Sequence, residues 1–384
     1  MSRHIPLARL QLMHQRLRLL AAIAGITFAV VLMLVQLGFK DALVNSAGLH
    51  ISHMSCDLVL VSPLYEFLIA PGHFPKRRLY QCLEVEGVDS VDPLYVAEVP
   101  WKDTWDRTEH SIFAIGFDPR PGFFDLPEVD RYLPNLREGP QILFDSRSRS
   151  EFGPVAAEIA KGHSVPVEIA GHHVDIVGTF SLGTSFGANG TLLMSDRTFL
   201  RSLPYRNLDL VDFGLVKLKP GFNPEEVRAR VEAVLPHDVR VFTRAGLIDV
   251  EQSYWLRATP IGFVFNIGVV MGMFVGCIIV YQILYTDVND HLGEYATLKA
   301  MGYPNRYLLW VVIQESIILS FFGFVPGVGL SILVYKIAGD ATMLLLRMPI
   351  SRVVIVYILT AVMCVASGAL AVRRVYEADP AEIF

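Results

Sequence analysis

Two histidine pairs and a glycine-rich loop are the stretches whose residue types suggest chemistry. His172 and His173 are adjacent, and adjacent side chains on a strand point to opposite faces, so the two are poor joint metal ligands. His50 and His53 share a helical face, but no carboxylate is spaced to complete a metal site. The loop GTSFGANG at 183–190 lacks the Lys-Ser/Thr of a phosphate-binding loop. We therefore predict no metal centre and no catalytic site.

The sequence also predicts no bound cofactor. The four cysteines form no CxxC pair and no Cys/His metal spacing, and the pairing of Cys56 with Cys82 stays open. No GxxxxGK[ST] motif is present. If the protein depends on ATP, a separate chain must bind ATP and Mg²⁺.

Small and polar residues inside two apolar runs are more informative. Gly268, Gly272 and Gly276 form overlapping small-xxx-small motifs that allow another helix to approach closely. Glu315, beside Gln314, is an ionisable residue in an apolar run and must face protein or water. We favour a structural hydrogen bond for Glu315 over a proton relay or a substrate contact.

Apolar segments long enough to cross a bilayer carry these residues. The chain of 384 residues is 52% hydrophobic and 18% charged, with a mean hydropathy of +0.42, which is typical of membrane proteins. A net charge of -5 gives no sign of nucleic-acid binding. Spans of about 20 apolar residues are needed, and four are predicted: 19–39, 260–286, 307–335 and 353–372. The first is too long for a signal peptide and is expected to be retained.

Charge sets the predicted orientation. Residues 1–18 contain four arginines and no acidic residue, so the N-terminus is expected in the cytoplasm, as an amphipathic segment on the inner leaflet or an extension of the first span. Alternation then places residues 40–259 and 336–352 outside, and residues 287–306 and 373–384 inside. Lys336, Arg347 and Arg352 in the short outer connection disagree with this orientation, but the first span usually dominates.

The region 40–259 is predicted to be a mixed α/β domain flanked by helical stalks. Strand-like runs lie at 57–62, 110–117, 141–145, 191–195, 213–219 and 238–244. Residues 164–180 alternate on both sides of Ala170-Gly171-His172-His173 and predict a hairpin with the histidines in its tip. Asn223 and Pro224 begin a helix, and the segments 41–55 and 245–256 would extend the first two spans.

A short helix is predicted between the second and third spans, from Asp290 to Met301. Gly302 suits the left-handed position that ends a helix, and Pro304 opens the next one. The helix mixes charged residues with exposed Tyr, Leu and Met. This pattern leaves open a solvated connector or a helix held between the membrane and a docked protein.

The segment GEYATLKAMGYPNRYL at 293–308 resembles the MacB/FtsX-like permeases of ABC transporters, where E-x-A-x-L-[KR]-A-[ML]-G recurs. The ending RRVYEADPAEIF resembles their terminal basic–DPxE motif. YQILYTDVNDHLGEYATLKAMGY, FPKRRLYQ and VDPLYV are closer still to the DevC-type permeases of heterocyst glycolipid exporters.

The resemblance implies a coupling helix that docks into a separate ABC ATPase subunit, and a tail that helps hold it. The implied ATPase contacts are Leu292, Glu294, Tyr295, Lys299, Met301 and Gly302. The implied tail contacts are Asp379, Pro380 and Glu382.

It also implies a four-helix permease of the inner membrane that carries no active site. Two copies would pair, and ATP-driven movement would reach the exported domain, a periplasmic membrane-fusion adaptor and a TolC-like outer-membrane channel. The expected cargo is a glycolipid, another lipid or a hydrophobic molecule. Three alternatives stay open: an FtsX-like device that controls a cell-wall hydrolase, a lipoprotein-release permease, and a membrane-anchored enzyme with its site in residues 57–244.

Overall fold

The computed structural model describes residues 16–102, 105, 108–185, 187–291, 293–294, 297 and 301–377. The chain divides into two compact units. A membrane unit comprises Met1–Asp41, Ile261–Gly339 and Leu346–Phe384, and an α/β unit comprises Ala42–Pro260 and Asp340–Leu345.

The elements are numbered along the chain. The helices are α1 Arg16–Ala47, α2 Leu49–Ser52, α3 Arg77–Cys82, α4 Pro127–Asp130, α5 Leu133–Glu138, α6 Val155–Ala160, α7 Asp196–Ser202, α8 Pro224–Val234, α9 Arg244–Ser253, α10 Pro260–Asp290, α11 Asn305–Thr342 and α12 Ile350–Glu377. The strands are β1 Leu58–Val61, β2 Phe74–Pro75, β3 Val88–Lys102, β4 Glu109–Phe117, β5 Gln141–Asp145, β6 Val165–Ile169, β7 His172–Phe180, β8 Thr191–Ser195, β9 Leu210–Val211, β10 Phe213–Leu218 and β11 Arg240–Thr243.

Four helices in the described part of the chain are long and apolar enough to cross a membrane. Their apolar portions are Leu19–Ala47, Pro260–Asp290, Leu309–Thr342 and Ile350–Val372. Each overlaps one of the four predicted spans and is longer than that span. α1 continues without a break to Ala47 and α2 follows at Leu49–Ser52, so most of the segment 41–55 is helical, as predicted for the stalk after the first span.

A nine-stranded mixed sheet forms the α/β unit, in the order β11-β1-β10-β3-β4-β8-β5-β7-β6. The end strand β6 also pairs with β3, through Trp101 opposite Ile169 and Lys102 opposite Glu168. Six strands, from β3 through β4, β8, β5, β7 and β6 and back to β3, therefore form a closed ring. Closure hides the β6 edge, which would otherwise expose unpaired backbone groups.

Both faces of the sheet are covered, because alternate residues enter two different hydrophobic clusters. On β1, Leu58 and Leu60 belong to one cluster, and Val59 and Val61 belong to the other. The six predicted strand-like runs are all strands, and β5 and β8 have the predicted bounds. β3, the longest strand described, was not predicted from the sequence.

The predicted hairpin is confirmed as β6 and β7, but the histidines lie outside its turn. Ala170 and Gly171 form the turn with φ of 48° and 81°, the left-handed values of a type I′ turn. His172 and His173 open β7 opposite Ile169 and Glu168. The predicted helix is α8, whose Asn223 side chain accepts a bond from the backbone N–H of Glu225 at 3.0 Å.

The stalk predicted before the second span is interrupted. After α9, residues Tyr254–Ala258 form a π-helix, and Thr259 is extended with φ −106° and ψ 152°. Pro260 then begins α10. A residue before proline is driven away from helical backbone angles, so Pro260 ends one helix while opening the next. The connection between α9 and α10 is therefore a break in the backbone helix and not a continuous rod.

His50 makes the stability of the α/β unit depend on pH. Its ring is buried, contacts Thr191 Oγ1 at 2.9 Å, and has its pKa lowered from 6.5 to about 4, chiefly by burial. The unfolded chain binds the proton first, so stability should be lost as the pH falls from about 6.5 to 4, by up to about 3 kcal/mol. We expect His50→Gln to flatten the thermal midpoint of the full chain over this pH range. The exposed His173→Gln is the control, and an equal flattening there would contradict the assignment.

Candidate functional site

The segment between α10 and α11 contains a helical turn with an exposed surface. Gly293, Glu294 and Thr297 have helical geometry, and the backbone N–H of Met301 donates to Thr297 O at 3.0 Å. Gly302 follows with φ of +92°, the conformation that glycine adopts readily at a helix end. The side chain of Met301 is 63% exposed. Of the predicted contacts, Leu292, Tyr295 and Lys299 lie outside the described residues.

The two ends of this segment are fixed by local bonds. At its start, the backbone N–H of His291 donates to Asp287 O at 3.2 Å, which continues the helical pattern of α10. At its end, the backbone N–H of Tyr307 donates to Pro304 O at 2.8 Å, and the rings of Tyr303 and Tyr307 lie 4.9 Å apart. The tail residues Asp379, Pro380 and Glu382 lie outside the described part of the chain.

The glycines of α10 lie against α1 of the same chain. A Cβ atom at Gly276 would clash with Met363 Sδ of α12 and lie 2.8 Å from Ala29 Cβ of α1, and one at Gly272 would lie 3.2 Å from Leu32 Cβ. Gly268 faces the side chain of Gln36. The close approach that these glycines allow is thus used within the chain. If α10 contacts a second copy of the chain, that contact must use another face of the helix.

Glu315 is buried on α11, whereas its neighbour Gln314 is exposed. Neither carboxylate oxygen of Glu315 has a hydrogen-bond partner among the described residues. The structural hydrogen bond favoured from the sequence is therefore not found. Burial of a polar group without a partner is costly, so Glu315 is an unsatisfied group in this conformation.

A polar cluster in the membrane unit was not predicted. Arg352, only 6% exposed, forms an ion pair with Asp41 and donates to Tyr335 Oη at 3.0 Å and to Arg347 O at 2.8 Å. The Tyr335 hydroxyl in turn donates to Leu34 O. These bonds tie together α1, α11 and α12. The available signal was Arg352 itself, one of the basic residues that disagreed with the predicted orientation.

A second cluster centres on Glu251 of α9. Its carboxylate accepts from Tyr65 Oη at 2.6 Å, Leu68 N at 2.9 Å and Trp255 Nε1 at 3.2 Å. Burial raises the pKa of this carboxyl, and the three bonds oppose that rise. The ring of Phe67 stacks on Tyr254 with centroids 4.7 Å apart. The loop 62–70 is thereby held against the π-helix that precedes α10.

Residues 183–187 spell Gly-Thr-Ser-Phe-Gly, which matches the GxSxG pattern of a hydrolase nucleophile elbow. An elbow joins a strand to a helix, but this loop joins β7 to β8. The Ser185 hydroxyl accepts a bond from the backbone N–H of Ala188 at 3.0 Å. The match therefore lacks the strand–turn–helix setting in which such a serine becomes a nucleophile.

No group of three or more metal-binding side chains occurs among the described residues. Cys56 and Cys82 are free and buried, and they belong to the clusters on opposite faces of the sheet. Burial raises the pKa of each thiol to about 12, so both are poor nucleophiles. These cysteines are packing residues.

Comparison with protein families gives two matches. Residues 19–234, more than half of the chain, match the family described as the MacB-like periplasmic core domain. Residues 266–380 match the FtsX-like permease C-terminal family, which includes the segment between α10 and α11. The boundary between the two matches falls close to the start of α10.

Two curated relatives are uncharacterized ABC transporter permeases of Mycobacterium tuberculosis, from strains CDC 1551 and H37Rv. Each is 22% identical over 267 residues, which cover 68% of this chain and 68% of the relative. Among solved structures, the periplasmic region of MacB from Actinobacillus actinomycetemcomitans aligns at 8% identity, over 51% of this chain and 92% of that one, with a TM-score of 0.35. The extracellular domain of the transporter YknZ from Gram-positive bacteria aligns at 12% identity, over 49% and 98%, with a TM-score of 0.33.

Substituting Gly276 should separate α10 from α1. We expect Gly276→Leu to lower the thermal midpoint of the detergent-solubilised chain, since overpacking costs about 1–3 kcal/mol. Gly329→Leu on α11 is the matched control, because no atom lies within 4 Å of a Cβ built there. Equal effects of the two substitutions would contradict the described packing.

Removing Asp41 or Arg352 from their ion pair should lower the stability of the chain by different amounts. Asp41→Asn leaves a buried guanidinium without its counter-charge, whereas Arg352→Met leaves Asp41, whose side chain is 48% exposed, with access to solvent. Removing one partner of a buried pair costs about 3–5 kcal/mol. We expect Asp41→Asn to lower the thermal midpoint more than Arg352→Met, with the exposed Asp340→Asn as control. The reverse order would contradict the assignment.

Proposed function

This chain belongs to the MacB- and FtsX-like family of ABC transporter permeases, and we propose from that premise that it passes ATP-driven movement from a separate ATPase to an exported domain. The chain itself supplies membrane helices and docking surfaces and no catalytic group. ATP and Mg²⁺ belong to the partner ATPase, consistent with the lack of a GxxxxGK[ST] motif in this sequence.

The observation that carries the proposal is the helical turn between α10 and α11. It ends at Gly302, joins two membrane helices without a long loop, and exposes Met301. An exposed apolar side chain beside charged residues suits a protein contact better than free solvent. Glu294, about two helical turns before Met301, would supply charge to that contact. We propose that this turn docks on the ATPase on the cytoplasmic side of the membrane.

Movement of the helices would reach the α/β unit through the chain itself. α1 is one continuous helix up to Ala47, and its last residues, from Ala42 on, belong to the α/β unit. The π-helix Tyr254–Ala258 precedes α10 and is held by Glu251. A rigid helix carries displacement along its length, whereas a break permits rotation. We propose that α1 pushes the exported unit and that the break before α10 accommodates the change of angle.

We propose that two copies pair through α10. Only 17% of its most apolar window is buried, compared with at least 33% in the other three spans. Its large apolar side chains recur every three or four residues on an exposed stripe: Phe263, Ile267, Val270, Phe274 and Ile278. Such spacing places these side chains on one face of the helix, and the glycines that contact α1 lie on the opposite face.

The finer features of the transport system are proposals from the sequence resemblance. They comprise a periplasmic adaptor, a TolC-like outer-membrane channel, and export of a lipid or glycolipid by a DevC-type system in the inner membrane. The support for them is the set of motifs quoted above, such as VDPLYV, which lies in β3. In this arrangement the α/β unit is periplasmic and both termini are cytoplasmic.

Purification of the complex tests the proposal. We expect the tagged full-length chain, gently extracted from its native membrane, to retain an ABC ATPase identified by mass spectrometry. Glu294→Arg should lose that ATPase while keeping its thermal midpoint. The matched control is Glu86→Arg, another charge reversal at an exposed position of the α/β unit.

Recovery of no ATPase with the unmodified chain in several mild detergents would overturn the proposal. Retention of the ATPase by Glu294→Arg would overturn the assignment of the docking turn. If cell-wall hydrolase rather than an adaptor is recovered beside the ATPase, the exported unit controls that hydrolase instead of exporting cargo.

A further inference from the structure

The loop after β7 contacts an unexpected part of the chain. Residues Asp340–Leu345, which comprise the end of α11 and the start of its connection to α12, belong to the same compact unit as the α/β domain and not to the membrane unit. The hydroxyl of Thr184 donates to Met343 O at 3.2 Å. Met343 has a φ of 56°, an uncommon left-handed value for a non-glycine residue, and Leu344 is buried. The start of the connection thus packs against the α/β domain and is not fully exposed to solvent.

The loop itself is anchored to the sheet by Asp145. This residue ends β5, is fully buried, and accepts from the backbone N–H groups of Arg147 at 3.0 Å, Leu182 at 3.1 Å and Gly183 at 2.7 Å. Two of these bonds, from Leu182 and Gly183, fix the loop at the residues immediately before Thr184. Because charged acceptors make stronger hydrogen bonds than neutral ones, this anchor is firm.

The far side of the loop meets the π-helix. A Cβ atom at Gly187 would lie 2.8 Å from Ile69 Cδ1 and 3.5 Å from Trp255 Cζ2, so the backbone of the loop lies close to both side chains. Trp255 is the residue that donates to Glu251. The loop therefore touches the sheet, the α11–α12 connection and the segment that leads into α10.

We propose that residues Leu182–Ser185, with Gly187, relay movement of α11 and α12 to the α/β domain, as a third attachment beside α1 and α10. Asp145 and Thr184 are its positioning residues. The inference rests on the proposed function for the source of the movement, but the attachment itself is a property of the permease alone.

Hydrogen exchange of the full-length permease tests the attachment. Thr184→Val removes the bond to Met343 O at nearly constant volume, and Thr184→Ser keeps it. A bond worth about 1 kcal/mol predicts about fivefold faster exchange at residues 340–345 in the valine variant. We expect exchange to stay near the unmodified rate in Thr184→Ser and in Ser181→Ala, an exposed neighbour on the same loop. Unchanged exchange in Thr184→Val, or a uniform rise across the whole chain, would overturn the attachment.

The same variants test the relay in the complex with its ATPase. With ATP bound, exchange should change in both 182–185 and 340–345 of the unmodified chain, but only in 340–345 of Thr184→Val. A mere stabilising role would not separate the two segments in this way. If both segments still respond together in Thr184→Val, the relay is wrong. If the unmodified chain shows no response to ATP anywhere, the proposed function fails, while exchange of the permease alone still decides the attachment.

Discussion

A bilayer offers no hydrogen-bond partner to a charged group, and this constraint organises the membrane unit. Arg352 is buried at the start of α12, and its partners come from α1, α11 and the adjoining connection. Tyr335 extends the cluster to a backbone carbonyl of α1. Together the contacts of Arg352 with Asp41 and Tyr335, and that of Tyr335 with Leu34, join α1, α11 and α12 in pairs. The glycines of α10 bring that helix against α1.

Glu315 is the exception to the same rule. It is as deeply buried as Arg352 but has no hydrogen-bond partner in the described part of the chain. Burying a carboxyl group without a hydrogen-bond partner is costly. Glu315 therefore marks a place where this conformation of the bundle leaves a polar group unsatisfied.

In the α/β unit, buried carboxylates hold segments that lie next to the membrane connections. Glu251 fixes the loop 62–70 and Trp255, and Asp145 fixes the loop that reaches Met343. Each carboxylate accepts three bonds, which offsets the cost of its burial. The closed ring of strands gives these anchors a rigid base. The break at Thr259 is then a place where the chain between α9 and α10 can change direction.

Local sequence patterns predicted many of the helices and strands. They did not predict the long-range contacts that join these elements. The runs that became β5 and β8 are apolar, short and bounded by polar residues or glycine, so the sequence alone predicted them. β3 was missed because Pro93 and Pro100 argue against a strand. It forms because β4, β10 and β6 pair with it along its length, which is a tertiary effect.

Long-range pairs could not be predicted at all. Arg352 and Asp41 lie 311 positions apart, and nothing local to either residue identifies the other. The contact between Thr184 and Met343 is of the same kind. By contrast, the turn at Gly302 was placed correctly, because glycine followed by proline two residues later is a local signal for a helix end. The proposal that it docks on an ATPase came from family resemblance, and its exposed Met301 is compatible with that proposal.

Exchange at the π-helix is the measurement that tests the central claim most directly. If ATP-driven movement passes through this permease, the amides of residues 254–258 should exchange at different rates in the nucleotide-free and ATP-bound forms of the complex with its ATPase. Equal rates in the two forms, with the ATPase bound and hydrolysing ATP, would mean that the movement does not reach the α/β unit by this route.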